Sequence, residues 1–182
     1  MKKGNNMKDE FASLIETVKF AIQMELDGKK FYIAAGKQSE NRLGKELYSW
    51  LATQEDFHRT KFEGIYQSIT QKKGLPLEHI TLNKTSGIGN IFRKAIKITG
   101  KTLKAQKNEL AGVEKAIEME IKSRDYYKKQ AAGSKSDIVR KFLMAVSAEE
   151  QGHYLALIDY REYMSDPVDW FTRTEHHLLD GA

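Results

Sequence analysis

The chain has 182 residues, enough for one domain with a sizeable core, and 40% hydrophobic with 30% charged residues suits amphipathic helices rather than a disordered polypeptide. It contains no cysteine, which excludes disulfides, thiolate catalysis and cysteine-held zinc or iron–sulfur centres. The net charge of +5 is uneven: residues 72–107 hold nine Lys/Arg against the single acid Glu78, which leaves the rest of the chain at −3.

Proline occurs only at Pro76 and Pro167, so long stretches are free of helix breakers and an all-α fold is expected. The first predicted helix runs from about Met7 to Gly36, with Phe11, Leu14, Val18, Ile22, Glu25, Gly28 and Tyr32 at three- and four-residue steps. Asn6 with Asp9 reads as its N-cap and Gly36 as its stop. The second runs from about Glu40 to Gln71 behind a Ser39 cap, with the stripe Leu43, Leu47, Leu51, Glu55, His58, Phe62, Ile65 and Ile69. Residues 72–107 are broken by Gly74, Pro76, Gly87, Gly89 and Gly100 and read as a long crossover, with a short helical piece at 90–98. The third helix spans about Asn108 to Ala132, with Leu110, Val113, Ala116, Ile117, Glu120, Ser123 and Tyr127 on one side and Gly133 as its end. The fourth runs from about Lys135 to Met164 behind a Ser134/Asp137 capping pair, with Ile138, Phe142, Ala145, Val146, Glu150, His153, Leu157 and Tyr160 in its stripe. Residues 1–164 thus form one bundle. A tail at 165–182 is expected to fold back through Trp170-Phe171 onto the bundle or a neighbouring subunit.

Shifting the chain by 95 residues lays it on itself without a gap. Ala21-Ile22-Gln23-Met24-Glu25 falls on Ala116-Ile117-Glu118-Met119-Glu120, and Phe31-Tyr32 falls on Tyr126-Tyr127. Glu55-x-x-His58 falls on Glu150-x-x-His153, each pair 30 residues after the earlier Glu. The expected architecture is therefore a four-helix bundle of two duplicated antiparallel hairpins joined by the long crossover.

Those six residues occupy apolar stripes where Leu would be expected. The Glu and His of each i, i+3 pair point the same way along their helix. Four buried carboxylates and two imidazoles would cost several kcal/mol per uncompensated charge, and divalent cations are their natural compensation. Two such ions balance the four carboxylates. One Glu-x-x-His on a helix carries little information, but two in register, each preceded by a stripe-facing Glu, mark Glu25, Glu55, His58, Glu120, Glu150 and His153 as a two-metal ligand set. That set, one Glu from each of two helices and a Glu-x-x-His from each of the others, is the general pattern of ferritin-like di-iron and di-manganese sites.

On these residues the chain resembles the rubrerythrin branch of the ferritin-like di-iron carboxylate superfamily across roughly 7–164. The resemblance implies that Glu55 and Glu150 bridge two metals, Glu25 and Glu120 are terminal ligands, and each His caps one metal. It also implies that Tyr32 and Tyr127 hydrogen-bond beside the cluster. Two departures matter. Rubrerythrins proper carry another Glu where this chain has Ser123, and a rubredoxin module whose iron is held by four cysteines. A symmetric Glu4His2 site fed by a separate, rubredoxin-like electron donor is therefore expected.

The implied cofactor is two metal ions, iron first, with manganese or zinc also compatible. The implied function is that of an oxidoreductase, peroxidase or ferroxidase in type, reducing hydrogen peroxide or O2 or oxidising Fe2+. Non-catalytic iron binding, buffering or storage is the alternative. A homodimer is expected. The first ten residues are charged, and no apolar run reaches the roughly 18–20 residues of a membrane helix, so a cytoplasmic protein that engages no membrane is expected. The basic connector lacks recognition features beyond Phe92, so no nucleic-acid partner is expected. His79 has no visible partner, and Glu175-His176-His177 is a weak candidate for a second metal site.

Overall fold

The computed structural model describes residues 3–71, 107–170 and 172–173. The expected crossover and short helix at 90–98, with the basic charge and His79, and the His176-His177 pair lie outside the described residues. Among the described residues four long helices form the molecule: α1 Lys3–Gln38, α2 Arg42–Thr70, α3 Lys107–Gly133 and α4 Asp137–Ser165. Helix α1 lies along α2 and α3 along α4, giving two hairpins that pack into a four-helix bundle. Backbones approach far more extensively within a hairpin than between hairpins, so side chains from the two halves fill the seam.

The cap positions differ from those the sequence suggests. Helix α1 continues through Gly36 to Gln38. Glycine is suited to that position by packing: a Cβ there would lie 3.4 Å from the Cβ of Tyr48. Helix α2 is capped by Asn41, whose Oδ1 accepts from the Leu43 amide at 2.8 Å. Ser39 stands two residues before that cap position, and its hydroxyl lies within hydrogen-bond distance of the Asn41 carbonyl and Glu109 instead of a helix amide. Ser136, not Ser134, caps α4 by accepting from the Val139 amide. Ile138 is displaced from the core, and Val139 is buried in its place.

The α2 stripe from Leu43 to Ile69 is buried at every position named for it. Apolar residues gather in two layers. Leu43, Leu47, Leu51, Val113, Ile117, Leu157 and Tyr160 belong to one, and Val18, Phe62, Ile65, Val139, Phe142 and Val146 to the other. Each fully buried Leu or Phe stabilises the bundle by about 1.5–3 kcal/mol relative to exposure. After α4, Trp170 lies buried in the first layer, edge-on to Tyr163, with its indole N–H donating to Asp159 at 2.7 Å. In the same layer, Glu109 accepts hydrogen bonds from Ser39 and Tyr160. Gly44 makes that node possible, because any Cβ there would overlap the Tyr160 hydroxyl. No described helix is long and apolar enough to cross a membrane.

Candidate metal centre

Between the two layers the stripes become polar in all four helices at once. Glu25 comes from the middle of α1, Glu55 and His58 from α2, Glu120 from α3, and Glu150 and His153 from α4. All six are between 0% and 5% exposed, an improbable burial for carboxylates without compensation. The structure brings all six together. Ligand atoms of Glu55, Glu120, Glu150 and His153 form one group within metal-chelating reach of one another, and those of Glu25, His58 and Glu150 form a second. Glu150 is common to both.

The distances define a compact pair of sites. His58 Nδ1 lies 3.2 Å from Glu150 Oε1 and 3.5 Å from Glu25 Oε2. His153 Nδ1 lies 3.2 Å from Glu150 Oε2, 3.5 Å from Glu120 Oε2 and 3.9 Å from Glu55 Oε1. The imidazoles are 5.7 Å apart and stacked at 24°. Five polar atoms here are buried without a hydrogen-bond partner: Glu25 Oε2, His58 Nδ1, Glu120 Oε2, Glu150 Oε1 and His153 Nε2. Buried groups are seldom left so. Four of the five are atoms that close on another ligand residue, as a chelating set requires. The donor set, oxygen and imidazole without sulfur, fits divalent iron, manganese or zinc.

The tyrosines tie the halves together. Tyr32 on α1 donates to Glu120 Oε1 on α3, and Tyr127 on α3 donates to Glu25 Oε1 on α1. Each hairpin thereby orients a carboxylate of the other. Gly28, one turn after Glu25, leaves room for Glu55: a Cβ there would meet Glu55 Oε2 at 2.8 Å. The corresponding residue in the second half is Ser123.

The electrostatics show how ill-suited the pocket is to bare charge. Burial, with the charges of Glu25, Glu150 and Glu120, pushes the Glu55 carboxyl well up. Burial and Glu150 raise Glu120 to about 8, against the pull of His153. Burial would also raise Glu150, but the two imidazoles hold it well below the usual carboxylate range. Burial alone would lower the histidines. Glu149, Glu150 and Glu25 outweigh it and hold His58 well above its ordinary value, and Glu120 with Glu150 raises His153 to about 9. Without metal, the cluster compensates itself with protons.

Glu149 was not among the residues singled out from the sequence. Its Oε2 lies 2.7 Å from His58 Nε2. The 95-residue alignment held the signal, because it sets Glu149 against Gln54 immediately before the two matched Glu-x-x-His pairs.

A family model described as Rubrerythrin matches residues 16–161, most of the chain and all six clustered residues. No curated protein and no solved structure matches the chain.

Proposed function

The chain belongs to the rubrerythrin family, and from that premise we propose that it is a di-iron carboxylate oxidoreductase. In this reading it reduces hydrogen peroxide or O2, or oxidises Fe2+, with electrons from a separate rubredoxin-like donor. The observation that carries the proposal is the convergence of unpartnered buried carboxylate oxygens and imidazole nitrogens at the bundle centre. Glu25 with His58 would hold one ion and Glu120 with His153 the other. Glu150, common to both groups, would serve as a bridge, and the family resemblance gives Glu55 the same role.

When bound, two ferrous ions would supply two electrons at one place, which matches the two-electron reduction of an O–O bond. The protein's own part is positional. The Tyr32 and Tyr127 hydroxyls fix one oxygen each of Glu120 and Glu25, leaving Oε2 of both to face the centre. Burial raises both phenols far above their ordinary value, so their protons stay in place through the neutral range. Residues such as Leu51, Phe62, Val146 and Leu157 keep bulk water from the centre. With no cysteine in the chain, an external electron source belongs to this reading. So does a homodimer in the cytoplasm, which native mass and cell fractionation would test.

The test is anaerobic loading with Fe2+, addition of hydrogen peroxide, and measurement of ferric absorption and peroxide loss. Oxidation no faster than that of free Fe2+ would sink the proposal. The Glu55→Ala, Glu150→Ala double variant should lose both metal and activity.

A further inference from the structure

His58 and His153 occupy matching positions of the repeat, yet their outer nitrogens have different surroundings. Nε2 of His58 lies 2.7 Å from Oε2 of Glu149, a carboxylate only 12% exposed. Nε2 of His153 is buried with no hydrogen-bond partner, and its ring stands at 88° to that of Trp50. The repeat assigns Gln54 to the position that Glu149 fills in the other half, and no hydrogen bond joins it to His153. The inner nitrogens are alike: each Nδ1 faces the carboxylates of the centre.

A ring nitrogen can ligate only if the proton resides on the other nitrogen. At His58 that proton has a carboxylate acceptor, which fixes the tautomer, locks the ring and makes Nδ1 a stronger donor. At His153 the same tautomer leaves a buried N–H unsatisfied. We propose that Glu149 is a positioning residue that makes the two metal positions inequivalent, so that the Glu25–His58 position takes a divalent cation before the Glu120–His153 position. This rests on the two-metal reading, but it is independent of any redox activity. The Gln54/Glu149 difference gives the centre an order of filling that its six matched ligands would not.

The test uses the full chain, stripped of metal by chelation and labelled with 15N at histidine. Zn2+ is added in steps while the assigned ring nitrogens of His58 and His153 are followed by NMR. The wild-type His58 signals should convert within the first equivalent, with His153 following at roughly tenfold or more higher free Zn2+, the typical effect of a lost outer-shell partner. Glu149→Gln puts the residue type of the matched position in place of the carboxylate beside His58 and should weaken the His58 position roughly tenfold, merging the two steps. Gln54→Glu should merge them in the opposite sense, by strengthening His153. Far-UV circular dichroism checks that both variants fold, and either one alone decides the matter. Parallel filling in the wild type, or a His58-first order that survives either substitution in a folded variant, overturns the proposal while leaving the two-metal site standing. Failure of either imidazole to bind Zn2+ overturns the metal reading together with it.

Discussion

The Tyr32 hydroxyl, carried by one hairpin, donates to Oε1 of Glu120 on the other, and Tyr127 returns the bond to Glu25. These reciprocal bonds cross the seam between the hairpins, where backbone contact is far sparser than within either one. A hydrogen bond to a charged group contributes about 1.5–3 kcal/mol, so Tyr127→Phe should destabilise the protein by that order in urea unfolding. It should also weaken metal binding about tenfold in a chelator competition, as loss of an outer-shell partner does. A variant unchanged in both measurements would remove the tyrosine from the centre.

Stability of the chelated protein should fall as pH rises from 6 to 9. His153 has a folded pKa of about 9 against an ordinary 6.5, so its contribution is complete below 6.5 and lost as pH passes 9. Glu120, raised from 4.5 to about 8, also holds its proton more tightly when folded, and its contribution disappears by the same route. Glu150 is shifted downward and opposes this trend only near and below 4.5. Added Mn2+ should reverse the trend, because its ligands must shed those protons to bind. Thermal unfolding at pH 6, 7.5 and 9, with and without Mn2+, measures both slopes. A metal-free midpoint that rises with pH contradicts this account.

Gly28→Ala should damage the centre without unfolding the bundle. Its methyl group would meet Glu55 Oε2 and Cδ at 2.8 and 3.1 Å, forcing that carboxylate aside. Zn2+ affinity should drop about tenfold or more, on the scale of a displaced or poorly oriented ligand. The control is Gly152→Ala, where a Cβ meets nothing within 4 Å. There alanine should leave the affinity unchanged and stabilise the helix by up to about 1 kcal/mol.

Trp170→Ala removes a buried indole and leaves Asp159 without its N–H donor. Truncations of this kind cost about 3–5 kcal/mol. Zn2+ stoichiometry at a temperature where the variant remains folded should equal that of the wild type, because Trp170 lies in the first apolar layer and not among the ligands. A loss of metal by the folded variant would show that the tail supports the centre directly.

Much of this was legible in the residues. The α2 stripe is the clearest instance, since all eight of its named positions are buried. A 3.6-residue period reports burial directly, and it reported Glu55 and His58 alongside the leucines. Helix ends were less legible. Ser39, Asn41, Ser134 and Ser136 are all competent caps, and the choice depends on which residue stands immediately before the first helical turn. Ser39 bonds instead to Glu109, seventy positions along the chain. Gly36 looked like a stop because sequence cannot show the Tyr48 side chain against it. Glu149 was hidden for a related reason: its partner lies on another helix, and only its contrast with Gln54 pointed to it.

The node formed by Glu109, Ser39, Gly44 and Tyr160 has matched positions in the other half, occupied by Leu14, Ser134, Val139 and Ile65. Apart from the serine, those counterparts could not form the same node, whereas the six clustered Glu and His repeat without change. Each hairpin is therefore a transplant donor for the other. Exchanging Glu109 with Leu14, or Gly44 with Val139, asks how far the ends of the bundle can diverge before the middle notices. The molecule carries its own reference copy for that experiment.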